Sequence, residues 1–358
     1  MKKLIIIFIL FCLGHQSYSQ GCIPARSING FGQYNLTDNS FSTTNWQLNL
    51  TNRYFESFRD FKEGVDQNTP VQDQFVNQVY TFDISLNKIL AKGWSLNLDL
   101  PITANTRTSS IEHGGPGTTR HSTRSFGIGD IRFIAYKWLL PPVFNQKWNI
   151  QVGLGIKFPT GDYKVQDYFY RNDTTKVLSG VNPGIQLGDG GTGIITEINT
   201  YYILNQTISF YGNFYYLLNP AEQNGMPFTT GKTPSTLQVK MGSVETSIPD
   251  FYSVRAGAFI NLRNVSFSLG IRDDGSPVYD LVGGSNGDRR AGYNLSIEPG
   301  FLYKMKNMTF YIYLPIIIDR KINQNVPDKL ATQITGVYTS RPGGTANVVM
   351  MAGVSFKF

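Results

Sequence analysis

Histidine and serine side chains that could do chemistry are concentrated in one polar segment of the chain. His113 and His121 lie eight residues apart within it. The serines near them are Ser109, Ser110, Ser122 and Ser125. A serine beside a histidine can act as a nucleophile, but no spacing singles out one of these serines, and loop histidines are commonly just solvated. Two histidines and one distant cysteine do not make a zinc site. The sequence therefore predicts no enzyme, no metal and no other cofactor.

A second polar segment carries four aspartates, Asp162, Asp167, Asp173 and Asp189. Carboxylates are calcium ligands, yet this segment lacks the Asp-x-Asp-x-Asp-Gly spacing of a calcium loop. Gly-Asp pairs are also ordinary turn chemistry. The sequence leaves open whether these loops bind calcium.

Ten charged residues stand instead at the polar positions of strongly alternating segments. They are Arg53, Asp83, Asp99, Asp130, Arg132, Lys157, Glu197, Arg255, Arg272 and Glu298. Five are acidic and five are basic, so neither a cation filter nor an anion filter is indicated. They line a polar path or substrate site, or they form cross-strand ion pairs that fill the interior, because an unpaired charge in a confined space is costly.

The elements that hold these residues are predicted to be strands of about ten residues. From Trp94 to Leu100, for example, four apolar side chains alternate with Ser95, Asn97 and Asp99. Period-two alternation predicts a strand with one apolar and one polar face. Twelve such strands are predicted, near 46–53, 80–87, 94–100, 126–139, 148–158, 193–204, 207–218, 250–260, 265–273, 292–303, 308–318 and 346–358.

The connections between these strands alternate between short turns and polar stretches of roughly 20 to 35 residues, too long for ordinary hairpins. This asymmetry predicts an all-β fold: a single transmembrane, antiparallel, up-and-down β-barrel over residues 45–358, with short periplasmic turns and long extracellular loops. The loops at 103–125, 161–192 and 219–248 are long enough to fold inward. A soluble β-sandwich is disfavoured because the strands match a bilayer crossing. Aromatic residues near strand ends fit interfacial girdles: Trp46, Tyr54, Trp94, Trp148, Tyr293 and Tyr303.

The N-terminal residues, the cysteine content and the net charge indicate where the protein is located and which partners it has. Lys2 and Lys3, the apolar run from Leu4 to Leu13, and small residues before a cleavage site predict a signal peptide over residues 1–19. Residues 20–44 either lie in the periplasm or plug the lumen. Cys22, alone after cleavage, rules out an internal disulfide framework, and lipidation is disfavoured because Ser19 stands where a Leu-like residue is needed. A formal charge of +7 without basic runs argues against nucleic acid as a partner.

The chain ends in a predicted strand that has one apolar face. Phe358, Phe356 and Val354 are predicted to face lipid, while Lys357 and Ser355 face the lumen. This terminal aromatic strand resembles the last strand of bacterial outer-membrane barrels. The resemblance implies that Phe356 and Phe358 are an assembly signal for the barrel-assembly machinery. The same facing pattern predicts that Leu98→Arg impairs folding more than Asn97→Arg.

Several short sequence segments resemble those of one family of bacterial outer-membrane barrels, the transporter-like proteins grouped with the phenol-degradation meta-pathway proteins. They are 46–57, 127–131, 153–162, 188–191, 248–250, 281–285 and 296–300. The resemblance implies a channel or transporter in the cell outer membrane that passes small, hydrophobic or aromatic molecules, with membrane lipid and the substrate as partners. A non-transporting structural or ligand-binding barrel that uses its long loops is the alternative, and a barrel hydrolase is a weaker one.

Overall fold

The computed structural model describes residues 46–140, 146–172, 174–228 and 232–358. The chain forms a closed, antiparallel, twelve-stranded β-barrel, which confirms the predicted fold. The strands are β1 (Trp46–Lys62), β2 (Val76–Ile89), β3 (Trp94–Ser109), β4 (His121–Ile128 and Arg132–Trp138), β5 (Trp148–Lys157), β6 (Gly193–Ile203), β7 (Ile208–Leu218), β8 (Phe251–Leu262), β9 (Val265–Ser276), β10 (Gly292–Met305), β11 (Met308–Tyr313 and Ile316–Ile322) and β12 (Gly343–Lys357).

The barrel closes between its first and last strands. Leu48 on β1 lies opposite Leu86 on β2 and opposite Phe356 on β12. Each of the other strands pairs with its two neighbours in sequence, so the topology is up-and-down throughout. Closure pairs the first strand of the sheet with the last, so that these two strands have no open edge, as strands that cross a bilayer require.

Two strands that the sequence predicts as continuous are interrupted in the structure. In β4 the break follows Ile128, where the side-chain hydroxyl of Thr160 accepts a hydrogen bond from Ile131 N at 2.9 Å. In β11 the break falls at Pro315, which has no N–H to donate to the sheet. There Leu314 N donates to Pro299 O at 3.0 Å.

The outer wall of the barrel is apolar. Leu98 and Leu154 are 47% and 62% exposed, whereas Asn97 is 1% exposed. Five of the six predicted girdle aromatics are exposed: Trp46, Tyr54, Trp94, Trp148 and Tyr303. The sixth, Tyr293, is half-buried and donates a hydrogen bond from its hydroxyl to Asp319 at 2.6 Å.

Among the residues that the structure describes, no helix combines the length and the apolar character needed to cross a membrane.

The two ends of the barrel differ, as predicted. Short turns such as 204–207, 263–264 and 306–307 lie at one end, where Trp46 and Phe358 also exchange backbone hydrogen bonds of 2.9 and 3.0 Å. The loops 63–75, 110–120, 158–192, 219–250, 277–291 and 323–342 lie at the other. The loop between β3 and β4 was predicted to cover residues 103–125. It covers only 110–120, because β3 continues to Ser109 and β4 already begins at His121.

The long loops contain their own secondary structure. Gln166–Tyr170 pairs with Lys176–Gly180, and Gln223–Pro227 pairs with Glu245–Ser247. Two helices, α1 (Thr236–Lys240) and α2 (Val326–Thr335), are capped at their N-termini by Ser235 and Asn325. The predicted signal peptide and the segment 20–44, which contains Cys22, lie outside the described residues, so both stay predictions. Asp173, one of the four candidate calcium ligands, also lies outside the described residues.

Candidate functional site: the barrel interior and its loop cavity

The ten charged residues predicted to line the lumen are all buried, none more than 6% exposed. Because one face of each strand is exposed and the barrel is closed, these side chains point into its interior. Most of them take part in hydrogen bonds or salt bridges with one another or with neighbouring residues. Whether any of them contacts a substrate stays a prediction.

A four-residue ionic network joins β8, β9 and β10. Both Arg255 and Arg272 bind the carboxylate of Glu298, Arg255 through Nε at 3.0 Å and Arg272 through Nη1 at 3.4 Å. Arg272 Nε also donates to Asp274 Oδ2 at 2.6 Å. The Arg255 guanidinium lies 5.5 Å from the ring centroid of Tyr313. Two cations and two anions therefore balance within this network, as the ion-pair alternative predicts.

Glu197 is held by neutral donors instead. Tyr136 Oη donates to Glu197 Oε2 at 2.8 Å, and the amides of Asn213 and Asn199 donate to Oε1 at 3.0 and 3.2 Å. Asn199 also donates to Gln151 Oε1 at 3.2 Å. These polar side chains sit at alternate positions of β4 to β7, so their convergence follows from strand register.

Lys157 and Asp130 connect the strands to a long loop. Lys157 Nζ lies 3.6 Å from Asp130 Oδ2 and forms a closer salt bridge with Asp189 of the loop 158–192. The backbone N–H of Gly161 donates to Asp130 Oδ1 at 3.0 Å. The same loop is thus anchored to the barrel wall at both of its ends.

The remaining predicted residues lie on β1 to β4. Asp99 is directly opposite Arg132 in the register of β3 and β4, and Arg132 also interacts electrostatically with Asp83. Arg53 Nη2 donates to the hydroxyl of Thr81 at 3.2 Å. Opposite charges therefore face one another across adjacent strands.

Inward-facing aromatic residues are the main feature that the alternation did not predict. Toward the short-turn end the interior is packed with Trp138, Tyr201, Tyr211, Phe259, Leu302, Tyr311 and Tyr313. Glycines make room for these rings: a Cβ on Gly257 would come within 2.7 Å of Tyr211, and one on Gly353 within 2.5 Å of Tyr311. Glycine at inner strand positions is the sequence signal that could have revealed this packing. Gly153 belongs to the same pattern, since the Tyr136 ring lies against it.

A cavity of about 530 Å³ lies between the charged interior and the long loops. Arg132, Lys157 and Tyr215 of the barrel wall are among its lining residues. Loops supply most of the remainder, with apolar side chains that include Val181, Leu187, Met226, Phe228 and Pro342. This volume falls within the usual range of small-molecule sites.

The loop 158–192 folds inward, as its length predicts. Ile185 is fully buried, and its carbonyl oxygen accepts hydrogen bonds from Asn105 at 3.2 Å and from the hydroxyl of Ser125. Leu187 packs against Gly127 at the break in β4, where a Cβ would come within 2.8 Å of the Leu187 side chain. This loop therefore narrows the mouth of the barrel and forms one wall of the cavity.

Two other loops are joined to each other by salt bridges. Arg341 donates from Nη1 to Asp288 Oδ2 at 2.7 Å and from Nε to Asp328 Oδ1 at 2.6 Å. Arg289 binds Asp280 through two hydrogen bonds of 2.7 and 2.6 Å, and both side chains are fully buried. The Arg341–Asp288 bond joins the loop 323–342 to the loop 277–291, and the other two pairs brace each loop internally.

His113 is buried rather than solvated, which corrects the sequence interpretation. It is 2% exposed, its ring stacks on Phe169 with centroids 5.4 Å apart, and its Nδ1 accepts a hydrogen bond from Tyr170 N at 3.1 Å. Burial lowers the pKa of His113 to about 4, although neighbouring Glu112 opposes the shift. His121 stacks on Tyr170 at 4.0 Å. The two histidines thus hold the loop hairpin in place.

The nearby serines are engaged with other groups. Ser110 donates to Asp73 at 2.8 Å, Ser122 pairs with Thr108 at 2.7 Å, and Ser109 accepts from Glu112 N at 3.4 Å. The Ser125 hydroxyl bonds to Ile185 O. Each candidate nucleophile therefore has a hydrogen-bond partner other than a histidine.

The described loop aspartates that could bind calcium each accept a hydrogen bond from a different backbone N–H. Asp162 accepts from Lys164 N at 2.8 Å, Asp167 from Arg124 N at 2.8 Å, and Asp189 from Gly191 N at 2.8 Å. Within the described ranges, no three His, Cys, Asp or Glu side chains are grouped so as to hold a metal ion.

Comparison with solved structures gives matches at low sequence identity. An outer membrane channel from Pseudomonas putida F1 matches with a TM-score of 0.58 and 10% identity, over 88% of this chain and 96% of that chain. The Ralstonia pickettii toluene transporter TbuX matches with a TM-score of 0.41 and 12% identity, over 88% and 90% of the two chains. The translocator domain of the Neisseria meningitidis autotransporter NalP matches with a TM-score of 0.43 and 7% identity, over 89% and 90%.

Comparison with protein-family models gives no match, and comparison with curated proteins gives none either. At 10% identity the Pseudomonas putida channel shares the fold, and the fold is that of an outer-membrane β-barrel.

Proposed function

We propose that this chain is an outer-membrane channel or transporter for small, largely apolar molecules, and that the loop cavity is where the substrate first binds. The observation that carries the proposal is the cavity itself, about 530 Å³ with apolar loop side chains along its walls. Its position beneath the long loops would make it the entry side of a barrel whose short turns face the periplasm. The resemblance to the meta-pathway barrels supports the same substrate class.

A cavity-filling variant tests this proposal. Gly344 lines the cavity, and a Cβ there would meet its nearest neighbours at an ordinary 3.6 Å, so the first atom of a side chain can be added without strain. Gly344→Phe should reduce uptake of the neutral, fluorescent, apolar probe N-phenylnaphthylamine by cells that carry the protein in their outer membrane. Thr119→Phe, at an exposed loop position, is the matched control. Uptake that is equal in wild type, both variants and cells without the protein would refute transport.

A second candidate, a barrel that binds a ligand without conducting it, is favoured by one observation. The aromatic cluster and the network of Arg255, Arg272 and Glu298 occupy the interior between the cavity and the short-turn end. Transport would require these side chains to move. Probe binding that depends on the cavity, with no uptake above background, would favour this candidate over the channel.

A further inference from the structure

The end of the barrel that carries the short turns is basic. Lysines and arginines stand in four of its five turns, or on the strand ends beside them, and on the last strand. All of them are exposed or half-buried: Lys88, Lys92, Lys137, Lys147, Arg263, Lys304, Lys306 and Lys357. Within the described ranges, no Asp or Glu side chain lies at this end. The acids next along these strands are buried in the interior: Asp83, Asp99, Glu197 and Glu298.

The loop end of the barrel has charges of both signs, and many of them are paired. Arg341 binds Asp288, and Arg59 binds Asp66. Outside the short-turn end, the described part of the chain contains more acids than bases. The carboxylate of Phe358 offsets only one charge at the short-turn end. The positive excess of the described chain is therefore concentrated at that end.

Two of these lysines lie over tryptophans of the outer wall. Lys88 is opposite Trp46 in the register of β1 and β2, and its Nζ is 4.5 Å from the centroid of the Trp46 ring. Lys137 is opposite Trp94 in the register of β3 and β4, and its Nζ is 5.2 Å from that ring. Both tryptophans are exposed. Interfacial tryptophans lie at the level of lipid head groups, and a lysine extends its ammonium group to the same level.

The distribution of the bases around the barrel favours lipid over a soluble partner. They occur on β2, on β4, in the turn between β8 and β9, and on β10, which lie at different places around the closed sheet. A protein or a small anion would contact one side of this end, whereas lipid head groups surround all of it. Turns as short as 263–264 and 306–307 also offer no projecting surface to a protein. Lysine and arginine side chains are attracted to a negatively charged lipid surface.

We propose that the short-turn end of the barrel binds anionic phospholipids, such as phosphatidylglycerol, in preference to zwitterionic ones. Their head groups would lie against Lys88 and Lys137, and their acyl chains would lie along the apolar wall beside Trp46 and Trp94. This inference goes beyond the proposed transport, and it does not depend on what the loop cavity binds.

Quenching of tryptophan fluorescence by brominated phospholipids tests the inference, because Trp46, Trp94 and Trp148 all lie at this end. The full-length protein is folded into phosphatidylcholine vesicles that contain either brominated phosphatidylglycerol or brominated phosphatidylcholine. The wild type should associate with phosphatidylglycerol at least about threefold more tightly, since one lysine near an anionic surface changes affinity roughly fivefold. In about 0.5 M NaCl this preference should fall, because salt screens exposed charges.

A double variant tests the two lysines directly. Lys88→Gln combined with Lys137→Gln removes both charges beside the reporting tryptophans, so the preference for phosphatidylglycerol should fall at least about twofold. Both side chains are at the surface of the barrel, and the salt dependence of the wild type tests the same inference without any substitution.

Lys176→Gln combined with Lys329→Gln is the matched control. These lysines also lie over aromatic rings, Tyr168 at 4.3 Å and Tyr279 at 4.5 Å, but in the long loops at the other end. The control removes the same net charge and should keep the wild-type preference. An equal loss in the control would assign the preference to net charge and overturn the inference.

Three further results would also overturn it. They are equal association of the wild type with both lipids, a preference that salt does not change, and a wild-type preference in the variant of Lys88 and Lys137. Equal association would leave these bases to a soluble anion or an acidic protein.

Discussion

The ring of Tyr136 lies directly against Gly153 on the neighbouring strand. The two residues are paired in the register of β4 and β5, and a Cβ on Gly153 would come within 2.5 Å of Tyr136 Cε1. From this position the Tyr136 hydroxyl reaches the buried carboxylate of Glu197. The missing side chain of Gly153 thus allows an aromatic ring to cross the inner face of the barrel and satisfy an acid that water does not reach.

Gly153→Ala should therefore destabilise the barrel. The added methyl group must displace the Tyr136 ring and weaken its hydrogen bond to Glu197, and overpacking together with a less satisfied carboxylate costs about 2 to 4 kcal/mol. Urea unfolding in micelles, followed by tryptophan fluorescence, measures this loss. Gly344→Ala is the control, because its Cβ would make only ordinary contacts. Equal stability of the two variants would show that Tyr136 can move freely.

Glu298→Gln should be more harmful than loss of a surface pair. Glu298 is fully buried and is shared by Arg255 and Arg272, so neutralising it removes the carboxylate that Arg255 binds, while Arg272 keeps its bond to Asp274. Breaking a buried pair in this way costs about 3 to 5 kcal/mol. Asp66→Asn, which breaks an exposed pair with Arg59, should cost less than about 1 kcal/mol in the same unfolding assay. A similar cost for both variants would contradict this view of the interior network.

Acid should weaken the loop hairpin held by His113. Burial holds the pKa of His113 at about 4, below the ordinary 6.5. Between pH 6.5 and pH 4, therefore, His113 binds a proton in the unfolded loop but not in the folded loop. The stabilising contribution is complete above pH 6.5 and is lost as the pH falls toward 4. Protonation would also place an N–H at Nδ1, where Tyr170 N now donates.

The groups around His113 modify this behaviour without reversing it. Glu112 and Asp167 favour the proton, whereas His121 and Arg171 oppose it. In urea unfolding measured from pH 7.5 to pH 4, His113→Asn, which does not titrate, should lose less stability than the wild type. Identical pH profiles would mean that His113 does not hold the hairpin.

Lipid-facing and inner positions of β3 should respond differently to charge. Leu98 is exposed on the outer wall, where an arginine costs about 2 to 4 kcal/mol at the midplane of a bilayer. Leu98→Arg should therefore fold poorly into liposomes, as judged by the shift in electrophoretic mobility of unheated protein. Leu98→Met, which keeps the apolar surface, should fold like the wild type.

The inner position Asn97 is closely packed, which bears on the predicted comparison of Asn97→Arg with Leu98→Arg. Asn97 donates hydrogen bonds to Ser85 at 2.7 Å and to Asn87 at 2.9 Å, and it is nearly fully buried. An arginine there would have to find space inside the barrel. We still expect Leu98→Arg to be the more damaging change, and comparable folding of the two variants would contradict the assigned facing.

The barrel wall could be predicted because alternation is local. Residues such as Leu98 and Asn97 reveal their opposite faces through the sequence around them, and long and short connections give the direction of each strand. The breaks in β4 and β11 were missed, although Pro315 carries a signal: a residue without an N–H cannot continue a central strand. The terminal residues Phe356 and Phe358 pair with β1 as expected of a closing strand, and their role in assembly stays a prediction.

The interior could be predicted only in part, because partners come from distant strands. Arg255 and Glu298 were assigned to the inner face, yet their pairing depends on a register that alternation does not specify. The apolar residues Val349 and Met351 turn inward on β12, at positions where a polar face was expected. Shape and charge inside a barrel are set by such long-range packing.

The most direct test of the central claim is whether the cavity lies on the path that solutes take. In a Cys22→Ser background, Gly344→Cys places one thiol in the cavity, and Thr119→Cys places one on an exposed loop. Conductance in planar bilayers should fall when a bulky maleimide labels Gly344→Cys and should stay unchanged when it labels Thr119→Cys. A conductance that is unaffected by complete labelling at position 344 would contradict the account.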